Sequence, residues 1–287
     1  MTLQQKLSKP IQLPSLAKNI HVLMQSLADD NLTYLQLAEV LKHYPDITAR
    51  LLFLANSSWS APISPISSVE QACSRLGTSI VKSVSIAITI ASSFDTRRCP
   101  RFSTVHFWTT SMVVAEGARL LVSKLPVSTP CSKLEQTAQT AGVLHNLGVL
   151  WLADNFPADT DKALHKMADE SPPLSFSDSL RQCTGTDYCE VGGLLAKHLQ
   201  LPDVLAAAMQ YHLNSDYQES SWEMALLIGE VAKMASALHR QTGELHPNIR
   251  LEKLGIDSAT HQLIFQQLSK NFEKNRQLAK TLFGGQS

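Results

Sequence analysis

The segment Ala141-Gly-Val-Leu-His-Asn-Leu-Gly-Val-Leu150 places an imidazole and a carboxamide, His145 and Asn146, at the end of an apolar run just before Gly148. Polar side chains inside hydrophobic surroundings need partners. On their own the two residues fit either of two roles. They can bond the exposed carbonyls of a helix end, or they can belong to a site. Other reactive arrangements are absent from the sequence. It has no Gly-x-Ser-x-Gly elbow, no GxxxxGK phosphate loop and no cysteine in a recognisably basic setting. His106, His165 and His198 are scattered in the manner of surface or capping residues, and His239 and His246 have no partner at ligand spacing. Cys73, Cys99, Cys131, Cys183 and Cys189 are widely spaced and form no CxxC pair. That pattern suits reduced thiols in the cytosol better than a disulfide framework or zinc site.

The elements that must position such residues are helical. Apolar residues recur every three or four positions, as in Leu16, Ile20, Leu23, Met24 and Leu27, and alternating runs with Asn-Gly or Asp-Gly turns are missing. Capping boxes are expected at Ser67 with Glu70 and at Ser132 with Glu135. Gly77 should close the first of these helices, with Thr78 capping the next through about Ser92. Further helices fit residues 15–27, 33–43, 46–55, 104–124, 133–145, 148–155, 159–169, 187–199, 202–213, 222–239 and 258–282. The polar stretch Asp95 to Arg101 suggests a boundary near residue 100. This divides the chain into an N-terminal helical subdomain (1–100), a helical core (101–240) and a C-terminal helical extension (241–287). Arg97, Arg98 and Arg101 in that stretch read better as a solvated hinge than as an anion site, because no aromatic or Gly-rich partner accompanies them.

Charge and hydropathy exclude some partners. Lys plus Arg number 25 and Asp plus Glu number 25, so the formal charge is zero. A neutral chain has no long-range field that steers it to nucleic acid or anionic lipid. No apolar stretch reaches the roughly 20 residues of a membrane helix, and the N-terminus has no h-region. Neither nucleic acid nor membrane is expected as a partner.

An ordered series of segments carries a family resemblance. It comprises Leu13-Pro14, Leu37-Ala-Glu-Val-Leu, Tyr44-Pro-Asp-Ile-Thr-Ala-Arg-Leu-Leu, Leu54-Ala-Asn-Ser-Ser58 and Ile66-Ser-Ser-Val-Glu-Gln-Ala-Cys-Ser-Arg-Leu-Gly77. It continues through Phe107-Trp108, Gly142-Val-Leu-His-Asn-Leu-Gly148, Asp187-Tyr-Cys-Glu-Val-Gly-Gly-Leu-Leu-Ala196, Leu201-Pro202 and Tyr211-His212. Over roughly residues 11–240 the chain resembles the HDOD family, relatives of the HD metal phosphohydrolases that are generally regarded as regulatory. The resemblance implies an all-α, multi-helix HD-type bundle preceded by an additional N-terminal helical region.

The same resemblance implies a degenerate pocket of Thr110, His145, Asn146, Tyr188 and His212. The paired His-Asp of HD enzymes becomes His145-Asn146, so a neutral amide stands where a carboxylate would neutralise a cation. The earlier family histidine falls on Thr110, the one after Asp187 on Tyr188, and the late aspartate near Lys233. A divalent ion held by the remaining neutral donors would keep most of its charge, at a desolvation cost on the order of several kcal/mol. No metal, cofactor or catalytic residue is therefore expected, although Asp187 and Glu190 are carboxylates close enough in sequence to rescue a site. Two readings follow: a non-catalytic signalling module that binds a regulatory protein or small ligand, and a metal-dependent phosphohydrolase of nucleotides or other phosphate esters.

A surface candidate completes the reading. The Asn56-Ser-Ser-Trp-Ser-Ala-Pro-Ile-Ser-Pro65 loop offers Asn56 and Trp59 as partner-facing residues, or as a helix terminus and a cover over the core. The apolar stripe of Met224, Leu227, Ile228, Val231, Met234 and Leu238 reads as core.

Overall fold

The computed structural model describes residues 23, 32–57, 60, 62–126, 131–169, 174–242, 245 and 249–284. Among them lie 13 α-helices and no strand, the all-α class that the residue periodicity predicts. In chain order they are α1 (Tyr34–Lys42), α2 (Pro45–Ala55), α3 (Val69–Leu76), α4 (Thr78–Ala91), α5 (Thr104–Val122), α6 (Cys131–Leu144) and α7 (Leu147–Asn155). Then follow α8 (Pro157–Asp169), α9 (Phe176–Thr184), α10 (Tyr188–His198), α11 (Asp203–Tyr211), α12 (Trp222–Arg240) and α13 (Ser258–Phe283). Of the helix expected over 15–27, only Leu23 falls within the described residues, where it is helical and buried.

Local chemistry sets the helix starts. Thr33 and Gln36 close a capping box on α1, and Pro45 opens α2 at a position where a missing amide hydrogen costs nothing. The box expected at Ser67 and Glu70 is one residue further on. Ser68 accepts from the Gln71 amide at 3.2 Å, and the Gln71 side chain returns the bond to Ser68. Glutamine closes such a box as well as glutamate. That leaves Glu70 free to pair with Lys42 at 2.6 Å, tying α3 to α1. Gly77, at φ +84°, ends α3 and also takes the cap position of α4, so Thr78 is the first residue of that helix and not its cap. The side chain of Ser132, expected to cap α6, lies outside the described residues.

One helix is absent from the sequence expectation. Ser175 caps the start of α9 at 3.1 Å from the Asp178 amide, and Gly185, at φ +80°, ends it.

α5 is the axis of the molecule. Trp108, Ser111, Val113, Val114, Ala118 and Leu121 are all buried, and α6, α12 and α13 pack around it. The long C-terminal α13 lies along α5 and reaches back to α2, where the Arg50 guanidinium donates to the Leu282 carbonyl at 2.7 Å. At its end Phe283 stacks on Trp108 with centroids 4.3 Å apart. Burying aromatic groups of this size contributes roughly 1.5–3 kcal/mol each, and a single apolar cluster runs from Leu23 to Phe283. The arginine-bearing loop is fixed by ion pairs: Arg97 to Asp95, Arg98 to Asp154 at 3.0 Å on α7, and Arg101 to Asp161 on α8. Each of the three guanidinium groups has a carboxylate partner, which disfavours an anion site there.

Among the described residues no helix is long and apolar enough to cross a membrane.

Candidate functional site

α6 ends at Leu144 and α7 begins at Leu147, so His145 and Asn146 sit at the corner between two apolar helices, both buried. His145 turns its Nδ1 onto the Gly142 carbonyl at 2.7 Å. At the end of α11, His212 does the same with the Ala208 carbonyl at 2.8 Å. A carbonyl only accepts, so each Nδ1 carries the proton and each neutral ring keeps a bare Nε2. The two imidazoles meet edge to face, with centroids 5.1 Å apart. Tyr188, at the start of α10, lies 5.7 Å from the His212 ring, and the Cys189 Sγ is 3.8 Å from the His212 Nε2.

Two glycines permit this convergence. A Cβ on Gly148 would lie 2.0 Å from the Tyr188 carbonyl oxygen, and one on Gly229 would lie 2.1 Å from that of His212. Both contacts are with backbone, which cannot rotate out of the way. Thus α7 presses on the start of α10, and α12 on the end of α11.

Burial governs the electrostatics. It drives the His145 imidazole from 6.5 down to about 3, with the neighbouring His212 adding to the effect, and His212 itself down to about 4. Burial also raises the Tyr188 hydroxyl and the Cys189 thiol, so both keep their protons. At neutral pH the cluster is uncharged.

The two carboxylates closest in sequence are engaged elsewhere. Asp187 caps α10, accepting from the Cys189 and Glu190 amides at 2.9 Å each. Its second oxygen accepts from Ser177 Oγ at 2.7 Å and from the Arg181 guanidinium at 2.6 Å. Glu190 pairs with Arg181 at 2.7 Å and accepts from the Thr186 hydroxyl. Ser177 and Arg181 both come from α9, the helix that the sequence reading passed over.

Thr110 does not join His145. Its hydroxyl lies 3.0 Å from the His106 carbonyl and 3.0 Å from the His239 Nε2 on α12. The hydroxyl that meets the site is that of Ser111, which donates toward the Asn146 carbonyl oxygen at 3.1 Å. A helix turns by 100° per residue, so a register error of one position moves a side chain to another face. Lys233, expected where an aspartate stands in the HD pattern, pairs with the buried Glu230 at 2.6 Å, and the His261 ring lies 3.7 Å from the same carboxylate.

The donor set of His145, Asn146, Ser111 and His212 does not fit a divalent cation of the HD type. It is neutral throughout, and among the described residues no group of three or more His, Cys, Asp and Glu side chains could hold a metal ion.

Asn56 ends α2. Its amide group donates to the Leu52 and Ile66 carbonyls at 2.9 and 2.8 Å and accepts from the Ile66 amide at 2.8 Å, closing the loop between them. Trp59 lies outside the described residues.

Comparison with known proteins adds the context. The family model of the HDOD domain matches residues 13–215. A candidate signal-transduction protein from Marinobacter aquaeolei VT8 has a similar fold, with a TM-score of 0.83 at 23% identity over 96% of this chain. The present chain spans 61% of that protein's length. An HDOD domain protein with unknown function from Geobacter sulfurreducens gives a TM-score of 0.73 at 20% identity, covering 98% of this chain and 97% of the other. A candidate phosphohydrolase from Shewanella amazonensis SB2B gives 0.70 at 22% identity, again covering 98% and 97%. At these identities the likeness shows the fold. No curated protein is significantly similar to the chain.

Proposed function

The chain belongs to the HDOD family, and from that premise we propose that it is a non-catalytic regulatory module that binds a protein or a small ligand. The observation that carries this reading is the fate of Asp187, a buried carboxylate beside the histidine corner that is fully occupied in capping α10 and pairing with Arg181. A hydrolytic centre of the HD type needs carboxylates to hold the cation that activates water and to offset its charge. Here the neighbouring carboxylate supports the scaffold, and the corner contains neutral groups bonded to backbone and to one another.

His145 and Asn146 then act as architecture. They join the α6–α7 corner to α5 through Ser111 and bring it against α11 through His212. This arrangement stabilises a rigid helical body that can present its outer surfaces to a partner.

A hydrolysis screen tests the reading. The purified protein, supplied with magnesium, manganese or nickel, should release no product from nucleotides, cyclic nucleotides or simple phosphate esters above a no-enzyme control. Turnover that depends on metal and disappears in His145→Ala would replace this reading with that of a phosphohydrolase.

A further inference from the structure

Away from the histidine corner, α5, α12 and α13 border an open cleft of about 770 Å³ whose lining includes Ser103, His106, His239, Phe272, Arg276 and Lys280. The volume is that of a small-molecule site. Two sets of its lining side chains suit a ligand, and the Glu273 carboxylate lines it beside them. The first is an aromatic platform. His106 and His239 stack with centroids 3.7 Å apart and planes at 27°, and Phe272 meets His239 edge-on at 5.0 Å. The platform is held from behind, because the His239 Nε2 is 3.0 Å from the Thr110 hydroxyl, which also reaches the His106 carbonyl. His106 is exposed, so with one face against His239 its ring offers a surface to the cleft.

The second group is cationic. Arg276 and Lys280 are four residues apart, hence on one face of α13, and both are exposed. Glu273 is the local counter-ion, 3.3 Å from Arg276, in a pair exposed enough for another anion to displace it readily. Burial, the adjacent His106 ring and the Arg276 cation hold the His239 imidazole down at about 4, so the two rings stack without mutual repulsion at neutral pH.

We propose that this cleft binds a nucleotide, with the base stacked on the His106 ring and the phosphates held by Arg276 and Lys280. Each half of the ligand matches one group. A base has a π-face that a fixed aromatic ring can take up whatever its hydrogen-bonding edge. A phosphate group suits the planar fork of an arginine with a lysine as an added point charge. Neither half alone accounts for both the platform and the cations lying in one cleft of that size. The proposal goes beyond the regulatory reading, since it concerns a cleft whose lining includes none of His145, Asn146, Tyr188 and His212, and binding here is measured independently of hydrolysis.

The test is calorimetric titration of the full chain with ADP, inorganic pyrophosphate and adenosine in the presence of a chelator. ADP should bind, and adenosine and pyrophosphate should each bind at least about tenfold more weakly, because each engages only half of the site. Arg276→Ala combined with Lys280→Ala, and separately His106→Ala, should weaken ADP by about tenfold or more. Lys270→Ala, on an exposed part of the same helix outside the cleft, should leave it unchanged. These cleft substitutions lie at exposed positions, so folding should persist, and circular dichroism of each variant confirms it. No heat at about 1 mM ADP would overturn the proposal. So would equal binding by wild type and cleft variants, or pyrophosphate binding as tightly as ADP, which would mean that the platform recognises nothing.

Discussion

The Arg181 guanidinium lies 2.6 Å from the Asp187 carboxylate and, on its other side, 2.7 Å from Glu190. One exposed side chain on α9 thereby occupies both carboxylates at the start of α10. The consequence is measurable as stability. Asp187→Ala removes the α10 cap and strands Ser177 and Arg181, for an expected cost of about 2–3 kcal/mol. Arg181→Ala should cost less, about 1 kcal/mol, because the arginine is half-exposed and Asp187 keeps its cap bonds. Urea unfolding of the two variants checks the order. A larger loss for Arg181→Ala than for Asp187→Ala would contradict it.

The neutral histidine pair makes the fold sensitive to acid. His145 and His212 are depressed from 6.5 to about 3 and about 4 in the folded state. The unfolded chain therefore takes up protons first as pH falls. Stability from these groups is complete above about pH 6.5 and declines as pH drops toward 4, by up to about 1.4 kcal/mol per unit for each ring. Urea midpoints measured from pH 7.5 to 5 should fall steadily in wild type and more gently in His145→Gln. A flat wild-type profile over that range would show the rings to be solvated.

Thr110 and Ser111, neighbours in sequence, should report on different places. Ser111→Ala removes the donor to Asn146 and should shift the His145 ring resonances in an imidazole-detected NMR spectrum while leaving His239 in place. Thr110→Val should do the reverse, moving His239 only. A His145 shift in Thr110→Val alone would restore the sequence-based assignment of Thr110 to the corner.

Close backbone approach makes two glycines intolerant of a methyl group. Gly229→Ala would place its Cβ 2.1 Å from the His212 oxygen, and Gly148→Ala would do likewise with Tyr188. Each should cost about 3 kcal/mol or prevent soluble expression, since the clash is with main chain. Thermal melts within a degree of wild type for either variant would mean that the helices are spaced more widely than these contacts require.

Much of this was legible in the sequence. The 3.6-residue periodicity gave the helices, and the polar pair at the end of an apolar run marked the α6–α7 corner. His212 and Tyr188, named through family resemblance, do meet at that corner. Register was harder to read. The cap moved from Ser67 to Ser68 because Gln71 can serve where Glu70 was expected. The α5 contact moved from Thr110 to Ser111. That second error had a usable signal, because Phe107, Ser111, Val114 and Ala118 follow one helical face and are all buried, whereas Thr110 is only partly so. α9 had the weakest signal. Its nine residues include three serines or threonines, which favour caps and turns over helix interiors, and it is held by Ser175 at one end and Gly185 at the other. Missing it meant missing Ser177 and Arg181, the side chains that engage Asp187 and Glu190.

The most direct test is the metal content of protein purified without chelator, measured by mass spectrometry after dialysis against manganese. The account predicts far less than one equivalent of any divalent ion per chain, with no difference between wild type and His145→Ala. A stoichiometric ion that His145→Ala releases would contradict it.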